Sequence, residues 1–194
     1  MVAHTPEWCR VMPSVMNLRT DVLIIIPARS GSTGVRNKNI RKVRGKPLLV
    51  WALKRALQIA PADNIIVSTD KKNYSFLAQK NGAKVRKLRP KNLSSSTTLI
   101  MDVIDHELRD FSDTNPSNFN EIRYVLILEP SHFGLRPNID NAIHLLDNDV
   151  KYNSAFGVYK VPIVYNFQKQ YWVNDGFVTA VSDISNYNRP DLQN

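Results

Sequence analysis

The chain has 194 residues, of which 43% are hydrophobic, and it contains one cysteine. This length suits one domain, or one domain with an appendage, and the lone Cys9 excludes an internal disulfide and a four-cysteine zinc site. The longest purely apolar run, Val22–Ile26, is far too short to span a bilayer, and the first twenty residues lack the apolar core of a secretion signal. We therefore expect a cytoplasmic protein with no membrane partner.

The net charge of +9 is concentrated in the first half of the chain. Residues 22–62 carry nine basic and no acidic side chains, residues 63–92 carry eight and two, and residues 93–194 carry seven and thirteen. Clustered cations favour a phosphate-bearing ligand, and a solvated basic face is the alternative. Nucleic acid would fit the charge, but neither zinc-finger spacing nor an RNP-type aromatic motif is present, so we expect no nucleic-acid partner.

In chain order, short β-branched runs alternate with amphipathic helical stretches. Val22–Ile26 predicts a buried parallel strand because every position is apolar. Pro47 opens a helix that runs to residue 60. Ile65–Ser68 predicts a second strand. Asp70 can cap the helix that follows, and Gly82 can end it.

The second half continues the alternation, with one polar interruption at 112–120 that predicts a loop. The remaining predicted elements are a strand near Val85, a helix from Thr97 or Thr98, a strand at Tyr124–Leu128, a helix at Asn138–Asp147 and a strand at Ala155–Val161. This pattern predicts an α/β fold with a mostly parallel sheet. Ligands bind beyond the carboxyl ends of such strands, so the loops after residues 26, 68 and 128 are the candidate sites.

The loop after the first strand carries the most informative pattern. It contains three of the seven glycines in the chain, Gly31, Gly34 and Gly45, and glycine lets backbone N–H groups approach an oxyanion. Arg29 and Lys38 can neutralise phosphate charge. The Walker and dinucleotide patterns are absent. The segment predicts a phosphate-binding loop, with a plain turn as the alternative.

The run IIPARSGSTGVRNKNI closely resembles the first motif of the acylneuraminate cytidylyltransferases, the CMP-sialic acid synthetase family. VSTD, NGAKVRKLRPKNL, MDVIDHEL, LEPSHFGLR and NRPDLQ match further segments of that family in order. The resemblance covers residues 21–194. It implies a Rossmann-like three-layer nucleotidyltransferase fold with a mostly parallel sheet, incomplete at the C-terminus. Residues 1–20 are an unassigned leader, and residues 166–194 are expected to be an irregular appendage.

The resemblance implies an enzyme that transfers CMP from CTP to a nonulosonic, sialic-type acid and releases pyrophosphate. It also implies Mg²⁺ as a cofactor and a homodimer, although no metal ligand can be named in this chain. The implied catalytic residues are Arg29 and Lys38. The implied nucleotide-binding residues are Ala28, Arg29, Gly31, Ser32, Thr33, Gly34, Lys38, Asn39 and Arg89. Glu129 and Arg136 would lie near the acidic sugar.

Each of these assignments has an ordinary alternative. Arg29 and Lys38 could be surface cations, and Arg89 could be a solvated member of a basic run. Asp70 could be only a helix cap, and Arg136 could pair with the nearby Asp140.

The sequence also departs from the pattern of the family it resembles. Thr33 stands where a lysine is expected, Ser96 where an aspartate is expected, and Glu129 where a glutamine is expected. Residues 131–134 contain one extra residue, and the chain stops where the family continues with a carboxylate pair. Losing a charge-stabilising donor costs roughly 10²–10³ in rate. The alternative hypothesis is therefore a non-catalytic or weakly active truncated paralogue that only binds nucleotide.

Overall fold

A computed structural model describes residues 18–32, 34–84, 87–131, 136–148, 153–155, 171–174 and 177–180. The chain divides into two compact units, Met1–Ala155 and Phe156–Asn194. The described strands are β1 (Val22–Pro27), β2 (Lys42–Val43), β3 (Lys46–Pro47), β4 (Ile65–Ser68), β5 (Tyr124–Ile127), β6 (Tyr171–Asn174) and β7 (Phe177–Ala180). The described α-helices are α1 (Leu48–Ala56), α2 (Lys72–Lys80), α3 (Ile100–Thr114), α4 (Pro116–Phe119) and α5 (Arg136–Asn148).

A three-stranded parallel sheet forms the centre of the first unit, in the order β4-β1-β5. The side chains of Val22–Ile26 are completely buried, because helices cover both faces of β1. A central parallel strand therefore has apolar residues at every position. Together with the surrounding helices, this sheet confirms the predicted α/β class and the first predicted strand.

The two faces of the sheet are covered by different helices. On one face Ile24 and Ile26 pack with residues of α1, α2 and α5, including Leu49 and Leu53. On the other face Leu23, Ile25 and Ile66 pack with the buried side of α3. The strands β1, β4 and β5 are parallel, so they end at one edge of the sheet. We call this the carboxyl edge, and it is where loops of parallel sheets form ligand sites.

The ends of several helices differ from the predictions. α1 ends at residue 56 and is followed by turns rather than continuing to residue 60. α3 begins at Ile100 with Leu99 at its N-cap, whereas Thr97 and Thr98 both lie within hydrogen-bond distance of the Ser95 hydroxyl. Gly82 follows the end of α2 with a φ of 91°, as predicted for a helix terminator.

The prediction of a loop over 112–120 is wrong. α3 extends to Thr114, and the short helix α4 follows with Pro116 in its first turn. Buried Phe111 and half-buried Phe119 lie with their ring centroids 6.2 Å apart, so aromatic packing holds both helices to the core. Tertiary contact has outweighed the polar composition of this segment.

The second unit contains an antiparallel hairpin of β6 and β7, in which Trp172 is opposite Thr179. The prediction of irregular structure over 166–194 missed these strands. Their separation by Asp175 and Gly176 is a strong hairpin signal in sequence. The predicted strand near Val85 and residues 156–161 of the predicted strand at Ala155–Val161 lie outside the described residues.

The helices of the described ranges are all too short or too polar to cross a bilayer.

Candidate functional site

The loops that follow β1 and β4 meet at the carboxyl edge. The backbone N–H of Ala28 donates to the carbonyl of Ser68 at 2.8 Å, extending the pairing of the two strands by one residue. Ala28, Ser68 and Thr69 are all buried. The loop that starts at Ala28, here called the β1 loop (residues 28–37), therefore leaves the sheet from a fixed point.

Asp70 clamps the β1 loop from the neighbouring strand. Its two carboxylate oxygens accept hydrogen bonds from the backbone N–H of Ser30 at 2.7 Å and from the Ser30 hydroxyl at 2.6 Å. Burial acts to raise the pKa of Asp70, but the two bonds from Ser30, the backbone of Asp70 and the charge of Arg89 together hold that pKa below its ordinary value. The prediction that Asp70 caps α2 is wrong, because Lys71 occupies the N-cap and Asp70 faces the loop.

Asn39, which follows the β1 loop in the chain, bonds back to the start of that loop. It lies in a single 3₁₀ turn, Lys38–Ile40, that follows Asn37 in the left-handed conformation with a φ of 54°. Its side-chain amide donates to the carbonyl of Arg29 at 3.0 Å. The Asn39 Oδ1 atom is buried and accepts no hydrogen bond within the described part of the chain. A buried acceptor of this kind is costly unless a ligand or water satisfies it.

The loop after β5 reaches the same edge through Lys38. The ammonium of Lys38 donates to the Ser131 hydroxyl at 3.3 Å, across 93 residues of sequence. Lys38 and Arg29 are both half-buried. The sheet therefore brings Arg29, Lys38 and the start of the third candidate loop together.

Arg89 lies beneath the β1 loop and is buried rather than solvated, with 6% of its surface exposed. Its backbone N–H donates to Thr69 at 2.8 Å. Its side chain donates from Nε to the Ser68 hydroxyl and from Nη2 to the Ser68 carbonyl, both at 2.9 Å. Burial lowers the pKa of the guanidinium, which nevertheless stays charged at neutral pH.

Glu107 completes this cluster, and the sequence analysis missed it. It is buried on the inner face of α3 and accepts a short hydrogen bond from the Ser68 hydroxyl. Burial raises the pKa of the carboxyl group, against the lowering effect of the Ser68 bond. One signal was available in the sequence, since Glu107 falls at helical spacing with the apolar Val103, Ile104 and Phe111. A carboxylate at a core position of a helix indicates that another polar group inside the protein pairs with it.

The glycines of the loop region have different structural roles. Gly45 has a φ of 78° and follows Arg44 at 49°, which forms the tight turn between β2 and β3. Among the described residues, a Cβ atom at Gly34 would meet no atom within 4 Å, and one at Gly31 would reach only the Arg29 guanidinium at 3.5 Å. Within the described part of the chain, the backbone of Gly34 therefore has open space beside it, whereas that of Gly31 lies beside Arg29.

Several other residues of the predicted site lie outside the described residues or are exposed. Thr33 and residues 132–135 lie outside the described residues, as do the side-chain surroundings of Arg136, which begins α5. Glu129 is exposed and follows β5 after one residue. The structure thus brings Ala28, Arg29, Ser30, Lys38, Asn39 and Arg89 together, whereas Glu129 lies on the β5 side.

The described residues do not fit a protein-built magnesium site. Among them no group of three or more His, Cys, Asp or Glu side chains lies close enough to hold a metal ion. The nearest carboxylate to the β1 loop, Asp70, uses both oxygens to accept hydrogen bonds from Ser30. Magnesium is usually held by several waters, one or two carboxylates and the phosphates of a substrate, in octahedral geometry.

Residues 23–114 match the protein-family model described as cytidylyltransferase. The chain is 33% identical over 141 residues to the N-acylneuraminate cytidylyltransferase of Escherichia coli O18:K1:H7, covering 73% of this chain and 32% of that protein. It is 41% identical over 85 residues to the CMP-N,N'-diacetyllegionaminic acid synthase of Legionella pneumophila, covering 43% and 37%. These findings confirm the resemblance inferred from the motifs, and the chain spans about a third of the length of these relatives.

Among solved structures, the fold is similar to that of a CMP:2-keto-3-deoxy-manno-octonic acid synthetase complexed with CTP. The TM-score is 0.50 at 20% identity, and the match covers 67% of this chain and 48% of that one. This likeness confirms the Rossmann-like nucleotidyltransferase fold. The carboxyl edge described above is part of that fold.

Proposed function

We propose that this chain, whose residues 23–114 match the cytidylyltransferases, binds CTP and transfers CMP to a nonulosonic, sialic-type acid with release of pyrophosphate. The observation that carries the proposal is the clamped β1 loop. Asp70 and Asn39 hold the start of the loop at Ser30 and Arg29, and the cations Arg29, Lys38 and Arg89 lie at the same edge. A preorganised loop surrounded by cations is suited to a triphosphate.

In the proposed reaction, the anomeric hydroxyl of the sugar acid releases its proton to water, and its oxygen forms a bond to the α-phosphorus of CTP. The bond from that phosphorus to the bridging oxygen breaks, and pyrophosphate leaves with the electron pair. Arg29 and Lys38 would stabilise the charge that develops on the phosphoryl oxygens, which is the main task of a protein in phosphoryl transfer. The remaining loop positions, Ala28, Gly31, Ser32, Thr33 and Gly34, would surround the nucleotide together with Asn39 and Arg89.

The sugar acid is proposed from the relatives and from the third candidate loop. The similar proteins are named for acylneuraminic and diacetyllegionaminic acids, and another for 3-deoxy-manno-octulosonate. All of these substrates are acidic, so a cation near the β5 side would complement them. Arg136, at the start of α5, is proposed for that role, and Glu129 is proposed to contact the sugar hydroxyls.

Three further expectations belong to the same proposal. Magnesium is expected from the resemblance alone, and the titration below, run with and without it, tests that expectation. A cytoplasmic location is proposed as well, and the single cysteine is compatible with it. A homodimer is expected from the resemblance and is tested by light scattering of the purified chain.

Calorimetric titration with CTP, with and without magnesium, tests the nucleotide site. Arg29→Ala and Lys38→Ala should each weaken binding roughly ten-fold or more, because each removes a charged donor. Lys80→Ala is a matched control, since Lys80 is exposed at the end of α2, away from the carboxyl edge. A folded chain that binds no CTP, or equal losses in all three variants, would contradict the proposal.

A second candidate is a protein that binds nucleotide without turnover. The observation in its favour is Glu129, an exposed carboxylate on the β5 side where a negatively charged sugar would have to bind. Incubation with CTP, magnesium and a panel of nonulosonic acids separates the two candidates. Formation of a CMP-sugar supports the enzyme, whereas tight CTP binding without product supports the second candidate.

A further inference from the structure

We propose that Glu107, acting through the Ser68 hydroxyl, is a positioning residue that fixes the guanidinium of Arg89 beneath the β1 loop. This inference rests on the proposed function in one respect, because Arg89 is taken as a nucleotide contact. The geometry of the cluster stands independently of the ligand.

The cluster is a chain of three side chains from three parts of the sequence. Arg89 Nε donates to Ser68 Oγ at 2.9 Å, and the same hydroxyl donates its proton to a carboxylate oxygen of Glu107. The Ser68 hydroxyl can accept one hydrogen bond and donate another at the same time. It therefore lies between the guanidinium of Arg89 and the carboxylate of Glu107 and links them. All three side chains are buried, with 1% of Ser68 and 6% of Arg89 and of Glu107 exposed.

This coupling fixes the orientation of the guanidinium. A second bond runs from Arg89 Nη2 to the Ser68 carbonyl at 2.9 Å, so two nitrogens of the planar fork are held by one residue. An arginine side chain otherwise has large rotamer freedom, which binding would have to remove. The same Ser68 carbonyl accepts the hydrogen bond from Ala28, the first residue of the β1 loop. The cluster therefore links the position of Arg89 directly to the base of the loop.

Packing alone does not account for Glu107. The groups that act on it are Ser68, Arg89 and, on its own helix, His106 and Asp110. An apolar side chain of similar size at this core position would avoid the cost of burying a carboxylate. The neighbouring buried residues of α3, Val103, Ile104 and Phe111, are apolar. A buried acid aimed at the hydroxyl that holds Arg89 is what a positioning role requires.

Two variants of Glu107 separate positioning from packing. Glu107→Gln retains an acceptor for the Ser68 hydroxyl and should leave CTP affinity within about two-fold of the unsubstituted chain. Glu107→Leu removes the acceptor and should weaken CTP binding roughly ten-fold. Arg89→Ala combined with Glu107→Leu should bind no more weakly than Arg89→Ala alone, since both changes remove the same contact. Asp105→Asn, an exposed change on the same helix, is the matched control.

A measurement without nucleotide distinguishes this inference from the proposed function. The Nε–Hε signal of Arg89, assigned by its loss in Arg89→Lys, should exchange slowly with water in the unsubstituted chain. Exchange should accelerate at least ten-fold in Glu107→Leu and in Ser68→Ala, and should be restored in Glu107→Gln. Unchanged exchange in a folded Glu107→Leu chain would overturn the positioning role. Absence of CTP binding with the expected exchange pattern would overturn only the proposed function.

Discussion

The β1 and β4 side of the carboxyl edge differs sharply from the β5 side. On the first side, Ala28, Ser68 and Arg89 are buried and joined by hydrogen bonds of 2.8–2.9 Å. On the β5 side, Val125 and Ile127 are each 41% exposed, and Glu129 is exposed at the following loop. A backbone bond from Leu128 to Ile25 at 3.0 Å ties this strand to the sheet.

This difference bears directly on the two halves of the proposed reaction. The side proposed to bind nucleotide is built from residues that fix one another, and this side includes the motif that matches the relatives. The side proposed to bind sugar carries the sequence departures at Glu129 and 131–134. Preorganisation lowers the entropic cost of binding. We therefore expect CTP affinity to be the more robust of the two properties.

Core truncation should give the largest effect and should measure how well each strand is covered. Ile25 of β1 and Ile127 of β5 are opposite each other in the sheet, yet Ile25 is completely buried. Ile25→Ala should lower the free energy of unfolding by about 2–5 kcal/mol, and Ile127→Ala by less than about 1.5 kcal/mol. Urea denaturation measures both. Equal losses would show that the exposed face of β5 is covered in solution, which would remove the contrast between the two sides.

Removing the clamp on the β1 loop should give an intermediate effect. Asp70→Ala deletes the acceptor of two Ser30 hydrogen bonds. It should lower the free energy of unfolding by about 1–2 kcal/mol, because the carboxylate is only part-buried. CTP binding should weaken as the loop loses its fixed geometry. As a control, Asp63→Ala removes an exposed ion pair with Lys84. It should lower the free energy of unfolding by less than about 0.5 kcal/mol. A CTP affinity unchanged in Asp70→Ala would show that the loop needs no clamp.

The smallest expected effect is a pH dependence of opposite sign at the two carboxylates of the first side. The pKa of Asp70 lies below its ordinary value of 3.8, so its contribution to stability is present above 3.8 and is lost as pH falls through the lowered pKa. The pKa of Glu107 lies above its ordinary value of 4.5, so its contribution is complete below 4.5 and is lost as pH rises through the raised pKa.

Unfolding free energies measured between about pH 3 and 7 test both signs. The advantage of the unsubstituted chain over Asp70→Ala should shrink at the acidic end. Glu107→Gln should gain stability relative to the unsubstituted chain towards neutral pH, because the amide is uncharged throughout. The same sign for both variants would show that the environments of the two acids are alike.

The sequence by itself determined the features that follow from local pattern. The unbroken apolar run at Val22–Ile26 specified a strand buried on both faces, and glycine after α2 specified where that helix ends. The glycine-rich, cationic segment after β1 predicted the similarity to the cytidylyltransferases that the family model shows over residues 23–114. The Asp175–Gly176 hairpin signal was present as well, but the aromatic and Asn-rich composition around it hid the two strands.

Only the tertiary structure decided how the site is assembled. Asp70 meets Ser30 across 40 residues, Glu107 meets Ser68 across 39, and Lys38 meets Ser131 across 93. Such pairs leave no periodic trace in sequence, because a parallel sheet brings together strand ends that are separated by whole helices. The same acidic side chain that reads locally as a helix cap can therefore become the clamp of a distant loop once the strands are paired.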